Sequence, residues 1–173
     1  MENVSIVAAI GKAYELGKDN KLIWHIKEDL SFYRSLTSHK NIIMGRKTFE
    51  SMPLKALEKR NIFVLSSRKL DNHYDVNCFK DIKSLIGYIK LNKEEEFIVV
   101  GGSQIYEEML PYADTMYLTE IDEYADADTF FPYIDPYEWQ VEQELYMKEV
   151  GFEERSNTNV PYVRNKYVKR RKK

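Results

Sequence analysis

The sequence predicts an α/β fold: a single domain on a central, mostly parallel mixed β-sheet, with helices on both faces and an antiparallel C-terminal part. Three observations lead there. Four apolar runs, Val4–Ile10, Ile42–Met44, Ile62–Leu65 and Phe97–Val100, are nearly continuous and rich in Val and Ile, as strands buried on both faces are. Helical patterns alternate with them, which is how parallel strands are connected. In the last third of the chain, strand-like runs follow one another without long helices between them, so an antiparallel part is expected.

Each element follows in order. Val4–Ile10 runs into a polar loop and then a helix from about Lys27 to Thr37. Ile42–Met44 leads through Gly45 to a helical Arg46–Ser51. Ile62–Leu65 ends in Ser66-Ser67-Arg68, and Ile82–Leu91 reads as a further helix. Phe97–Val100 leads through Gly101-Gly102 to a helix over Ser103–Leu110, stopped by Pro111. Thr115–Ile121, Trp139–Met147 and Tyr162–Val168 are the strands of the last third. The basic run Lys169–Lys173 reads as a frayed, solvated tail. The domain is therefore expected to span 1–168 and the tail 169–173.

Composition narrows the function. A chain of 173 residues suits one domain with a sizeable core, and 43% hydrophobic with 31% charged residues excludes wholesale disorder. A net charge of -2 gives no global basic field, so no obligate nucleic-acid partner is expected. Cys78 is the only cysteine, which excludes a disulfide framework and fits a reducing compartment. Met1-Glu2-Asn3 lacks a basic leader and no apolar run reaches a transmembrane length. A cytoplasmic protein with no membrane partner is expected. His25, His39 and His73 show no metal-ligand spacing, and no metal is expected.

Two kinds of residue point to chemistry. On a helix over Lys27–Thr37, Ile26, Leu30, Phe32, Tyr33 and Leu36 gather on one side, while Lys27, Ser31, Arg34 and Ser35 face away. Asp29 lies within the apolar stripe, where a carboxylate is costly unless paired or protonated. It could cap the start of the helix, or it could be an acid held ready to exchange a proton or bind a cationic heterocycle. The pattern alone does not choose. The second kind is a set of turns at the ends of buried strands. Gly45-Arg46-Lys47-Thr48 and Gly101-Gly102-Ser103 offer backbone N–H groups and close approach. Ser66-Ser67-Arg68 adds short donors and a fork-shaped cation suited to a phosphate monoester. In an open α/β sheet these turns share the carboxyl edge where ligands bind. Together they suggest a ligand with several phosphates, although neither G-x-G-x-x-G nor the P-loop pattern is present.

These residues together resemble one family, dihydrofolate reductase in its bacterial-like form. The resemblance rests on Ile6-Val7-Ala8-Ala9; Leu16-Gly17 and Asn20; Leu22-Ile23-Trp24 with Asp29-Leu30 and Tyr33; Ile43 to Ser51; Arg60 with Val64 to Arg68; Val99 to Tyr106; Tyr117-Leu118-Thr119; and Asp128 to Pro132. The matches keep their order and spacing over roughly the first three quarters of the chain, which is more specific than any short motif.

The resemblance implies reduction of dihydrofolate to tetrahydrofolate with NADPH as cofactor, by a monomer. Asp29 would hold the 2-amino and N3 side of the pterin and assist protonation at N5, with Thr119 bracing its carboxylate. Trp24 would position a water near the pterin, and Leu22 would belong to a mobile loop from about Gly11 to Trp24. Ala9, Leu16, Gly17 and Tyr106 would flank the nicotinamide. Val7 and Val100 would offer backbone carbonyls to the pterin edge. Leu30, Tyr33, Met52 and Leu57 would line the aminobenzoyl slot, and Arg60 would take the glutamate α-carboxylate. Gly45, Arg46, Lys47 and Thr48, with Gly101, Gly102, Ser103, Gln104 and Ile105, would hold the pyrophosphate. Arg46, Ser67 and Arg68, beside Leu65 and Ser66, would favour the 2′-phosphate. A related pyrimidine reductase of riboflavin synthesis, or a non-catalytic descendant binding folate or RNA, is the alternative.

The chain departs from the family pattern at several points. Ile23 stands where Pro usually precedes the Trp. The stretch Met52–Arg60 lacks the usual Gly and Pro residues and is one residue longer; Arg60 keeps its distance from Ser66, with Lys59 as the alternative. Ser103 replaces a small residue, and Ala127 sits where some members have Gly. The C-terminal strand carries Arg164 and Lys166 where apolar residues are common.

Overall fold

The structure, a computed structural model, describes residues 1–70 and 75–171, with the side chains of residues 143–149 outside the description. His73, Lys172 and Lys173 thus lie outside the described residues. From the N-terminus, β1 (Val4–Ile10) precedes a short hairpin of β2 (Glu15–Lys18) and β3 (Lys21–Leu22). Then come α1 (Lys27–Thr37), β4 (Asn41–Gly45), α2 (Arg46–Ser51), α3 (Leu54–Leu57), β5 (Asn61–Leu65), β6 (Asn77–Phe79), α4 (Ile82–Leu91), β7 (Phe97–Gly101) and α5 (Ser103–Met109). The chain closes with β8 (Thr115–Ile121), β9 (Thr129–Phe130), β10 (Trp139–Glu153) and β11 (Thr158–Lys169).

The continuous apolar runs are the central parallel strands. One sheet has the order β10-β11-β8-β1-β7-β4-β5-β6. β1 lies between β7 and β8, parallel to both, and β4 lies between β5 and β7. Residues on β1 alternate between two cores, as the pleat requires. Val4, Ile6, Ala8 and Ile10 enter the larger one with Phe97, Val99 and Met116, while Val7 joins Ile42, Met44 and Val64 on the other face. Covering both faces leaves these strands no polar alternation, hence their reading as unbroken runs.

The antiparallel part is β11 against β8 and β10 against β11. β10 continues to Glu153, beyond the expected stop at Met147. On β11 the alternation places Val160, Tyr162 and Arg164 on the buried side.

Other regions also differ from expectation, beside the short α3 and β6, which were not expected from the sequence. Lys169 is the last residue of β11; its N–H donates to Asp114 O (3.0 Å) and its Nζ to Pro111 O (2.6 Å). Arg170 donates to Pro136 O and Gln140 Oε1, each over 2.9 Å. The first two residues of the basic run are thus tied to the domain rather than frayed. The polar stretch after β1 supplies β2 and β3 of a second sheet, which β9 completes in the order β3-β2-β9. Its strands have two to four residues, too few for a periodicity to show. No helix among the described residues is long and apolar enough to cross a membrane.

Candidate active site

The acid stands at the third position of α1. Ile26, before the helix, has no side chain able to cap it, and the chain is secured by other means. The N–H of His25 donates to Glu153 Oε1 (2.9 Å), Glu154 donates back to His25 O (3.1 Å), and Glu28 accepts from the N–H of Phe152 (3.0 Å). The first turn is therefore fastened to the end of β10. Lys27, Ser31, Arg34 and Ser35 are exposed, as the helical pattern predicts.

The carboxylate of Asp29 points at the sheet. The Thr119 hydroxyl donates to Asp29 Oδ1 over 2.5 Å, and Arg164 Nη2 lies 3.4 Å from the same oxygen. Arg164 Nε donates to Thr119 Oγ1 over 3.1 Å. These partners, on β8 and β11, stand where a capping role would need backbone N–H groups of the first turn. The Asp29 side chain is 21% exposed, so one edge can be reached by a ligand. Burial pushes its carboxyl above the usual range, while the Thr119 bond and the Arg164 charge pull the other way.

Around this acid lie other expected residues. Tyr106 is buried against Phe131, with ring centroids 5.0 Å apart, and donates its hydroxyl to the Val7 carbonyl over 2.8 Å. Burial raises that phenol, so it stays protonated. Val100 is buried on β7. Ala9 and Trp24 pack on the Ile26–Ile121 cluster, and the indole N–H of Trp24 meets Glu123 Oε2 at 3.3 Å.

The Gly11–Trp24 stretch, expected as a mobile loop, forms the β2–β3 hairpin and is fastened on three sides. Glu15 is buried, and its carboxylate accepts from the N–H groups of Ala13 (2.8 Å) and Ala125 (3.1 Å). Asp128 donates its N–H to Gly17 O and accepts from the N–H of Asp19. Arg155 Nη1 donates to Leu22 O over 2.6 Å, while the Leu22 side chain is 54% exposed. Leu16 is buried in the larger core.

Tyr33, Met52 and Leu57 share the second core, and Leu30 is half-buried beside Asp29 on α1. Arg60 is fixed by three bonds, from Nε to Thr37 Oγ1 (3.0 Å), Nη1 to Glu58 O (2.8 Å) and Nη2 to Arg34 O (3.3 Å). Lys59, the alternative, is exposed with a φ of 59°.

The two glycine turns lie side by side. A Cβ on Gly45 would come within 2.9 Å of Ile105 Cγ1, and one on Gly102 within 3.3 Å of Thr48 Oγ1. Gly101 has a φ of 122°, in the region that favours glycine. Ser103 is half-buried and Gln104 exposed; Lys47 is exposed, and Arg46 is ion-paired with Glu50 at 2.8 Å. After β5, which neighbours β4, the Ser66 hydroxyl closes a turn by accepting from the N–H of Arg68 (3.1 Å), with Leu65 half-buried and Ser67 and Arg68 exposed. Three donor-rich turns therefore occupy one edge, a set that suits several phosphate groups.

Sequence reasoning gave no role to Glu15, Glu153 or Arg164. For Arg164 a signal existed: it follows Tyr162 by two residues, so the strand period sends both inward. Glu15 and Glu153 were missed because each combines partners two or three residues away with a backbone N–H of a remote segment, Ala125 for Glu15 and His25 for Glu153.

Several known proteins are similar to this chain over most of its length. The family pattern described as dihydrofolate reductase matches residues 3–168. The chain is 38% identical over 144 residues to the dihydrofolate reductase of Haemophilus influenzae, covering 83% of this chain and 88% of the relative. It is 36% identical over 165 residues to that of Neisseria meningitidis serogroup A, covering 95% and 99%. A solved structure of dihydrofolate reductase from Enterococcus faecalis, complexed with NADP(H) and RAB-propyl, superposes with a TM-score of 0.78 at 28% identity, covering 97% of this chain and 96% of that one.

Proposed function

From a chain that belongs to the dihydrofolate reductase family, and reduces dihydrofolate to tetrahydrofolate with NADPH, we propose that Asp29 is the acid that binds the pterin and governs its protonation. The observation that carries this reading is the short bond from Thr119 to Asp29 Oδ1. It commits one oxygen to the protein and orients the rest of the carboxylate. A carboxylate so held matches the adjacent donors of the pterin 2-amino group and N3. Product formation needs a proton at N5, and an acid whose carboxyl is raised by burial suits that step.

The donor set at the sheet edge fits NADPH. Gly45, Arg46, Lys47 and Thr48 with Gly101, Gly102, Ser103, Gln104 and Ile105 would hold the pyrophosphate. Leu65, Ser66, Ser67 and Arg68, helped by Arg46, would take the 2′-phosphate side. Ala9, Leu16, Gly17 and Tyr106 would flank the nicotinamide, which when bound supplies the hydride for pterin C6. Trp24 and the hairpin that carries Leu22 exclude bulk water from this place. Val7 retains a lone pair for the pterin edge beside the Tyr106 bond, and Val100 offers the second carbonyl. Leu30, Tyr33, Met52 and Leu57 line the aminobenzoyl slot. The pre-set fork of Arg60 receives the glutamate α-carboxylate.

The relatives favour this reading over the pyrimidine reductase of riboflavin synthesis and over a descendant that only binds. The exposed thiol of Cys78, alone in the sequence, supports a reducing compartment such as the cytoplasm. Residues 1–168 with the anchored Lys169 and Arg170 act as one domain and as a monomer, without nucleic acid. The test is the loss of NADPH absorbance when dihydrofolate is added to purified, folded protein. Turnover is expected; none, from protein with a cooperative melt, would remove the assignment.

A further inference from the structure

Arg164 stands on β11 two residues after Tyr162, and the pleat sends both inward. It is 1% exposed. A guanidinium so placed is costly unless charge and hydrogen bonds compensate it. Its Nη2 lies 3.4 Å from Asp29 Oδ1, and its Nε donates to Thr119 Oγ1 over 3.1 Å. The Phe32 ring, on the same helix as Asp29, has its centroid 4.0 Å from the guanidinium carbon, and the Tyr162 ring 5.5 Å. Both are within cation–π range.

The order of bonds has a chemical consequence. Thr119 Oγ1 accepts from Arg164, so its own proton is free to point at Asp29. The guanidinium therefore acts on the acid twice, directly by charge and indirectly by fixing the direction of the hydroxyl.

Resting on the reading of Asp29 as the pterin-binding acid, we propose that Arg164 is a positioning residue for the reaction: it holds the Asp29 carboxylate from behind, through Thr119, and keeps it charged and oriented towards the pterin. Among the described residues, the other groups around Asp29 do not duplicate this. The phenols of Tyr33 on α1 and Tyr106 on α5 are raised by burial and stay neutral. Glu28 is taken up by the Phe152 N–H, and Glu123 meets Trp24. Lys27 is exposed. From β1, Val7 and Ala9 bring no charge. The side chains of residues 143–149 on β10 lie outside the described residues. Burial drives the Asp29 carboxyl up; Arg164 and Thr119 oppose that rise.

The test follows the Asp29 carboxyl carbon by NMR through a pH titration of the NADP⁺-bound enzyme, beside turnover, in wild type, R164M, R164K and D29N. R164M keeps an unbranched, mostly apolar stem and removes the guanidinium with its charge. Its Asp29 midpoint is expected to rise by roughly one pH unit or more, as when an adjacent cation is lost, with a raised KM for dihydrofolate. R164K restores the charge but not the planar Nε bond. It should bring the midpoint back towards wild type while turnover stays reduced. An R164M midpoint that coincides with wild type overturns the proposal. If R164M does not fold, an R164K enzyme equal to wild type in turnover overturns it. Full activity in D29N would instead remove the reading of Asp29, whereas a collapsed D29N with an unmoved R164M midpoint removes the role of Arg164 alone.

Discussion

The glycine turns after β4 and β7 are each made of residues adjacent in the chain, whereas the Asp29 cluster gathers α1, β8 and β11 across separations of 90 and 135 residues. The turns need only backbone shape and small side chains, which local sequence dictates. The acid needs a desolvated place, an oriented hydroxyl and a compensating charge, which only tertiary structure supplies. In the proposed function, one region recognises phosphates by position of the chain and the other sets a protonation state by surroundings. Perturbing each separately should therefore move different observables.

The largest effect is expected at Asp29. Asp29→Asn keeps the shape but removes the proton-exchanging group, and turnover at neutral pH should fall on the order of 100-fold or more. Activity should recover in part as pH falls and the substrate arrives protonated. NADPH affinity, measured by fluorescence titration, should stay within about twofold, because no cofactor turn depends on the acid. A matching loss of NADPH affinity would break the separation between the regions.

Thr119→Val comes next. It removes the hydroxyl that Asp29 and Arg164 share, leaving Arg164 Nε without that acceptor. A buried bond to a charged group contributes about 1.5–3 kcal/mol, so kcat/KM should fall by roughly tenfold or more. Stopped-flow turnover across pH measures it. An unchanged profile would mean that the carboxylate is oriented without Thr119.

Gly45→Ala tests the other region. The added Cβ would meet Ile105 Cγ1 at 2.9 Å, so β4 and α5 must part or Ile105 must turn. The expected result is a rise of about three- to tenfold in the Kd for NADPH, of the order of 1 kcal/mol. The KM for dihydrofolate and the Asp29 titration should not move. A change confined to dihydrofolate would place this turn outside the cofactor region.

Legibility in the sequence follows the same division. The central parallel strands were readable because burial on both faces leaves an apolar signature, and the turns because Gly, Ser and Arg follow those strands directly; the edge strand β6, mostly exposed, was not. Asp29 was visible as a charge within an apolar stripe, and the family resemblance supplied Thr119 as its partner; the bond to Arg164 was not visible, since pairing of β11 with β8 sets it. Arg164 was visible only as a departure from the family pattern. The β2–β3–β9 sheet was unreadable because its strands are too short to repeat. The fixing of Lys169 and Arg170 depends on carbonyls of remote loops, which no local pattern announces.

The smallest effect concerns what supports the acid cluster from the start of its helix. Glu153, 4% exposed, accepts from the N–H groups of His25 (2.9 Å), Arg155 (3.2 Å) and Ser156 (2.7 Å), and from the Ser156 hydroxyl (2.7 Å). Burial pushes its carboxyl up, but these donors outweigh burial and hold it at about 2, against an ordinary 4.5. With the folded value depressed, its contribution to stability is complete above about pH 4.5 and is lost as pH falls towards about 2. Glu153→Gln offers one oxygen and an amide donor in place of two acceptors, so it should lower Tm at neutral pH by a few degrees. That gap should narrow as pH drops through the window, because the wild-type carboxyl is protonated there and loses the same bonds. Turnover at neutral pH should change by less than about twofold, since the bond to His25 only fastens the chain ahead of α1. Melting curves followed by circular dichroism across pH measure the effect. A gap independent of pH would mean that the shape of Glu153, rather than its charge, secures the helix that carries Asp29.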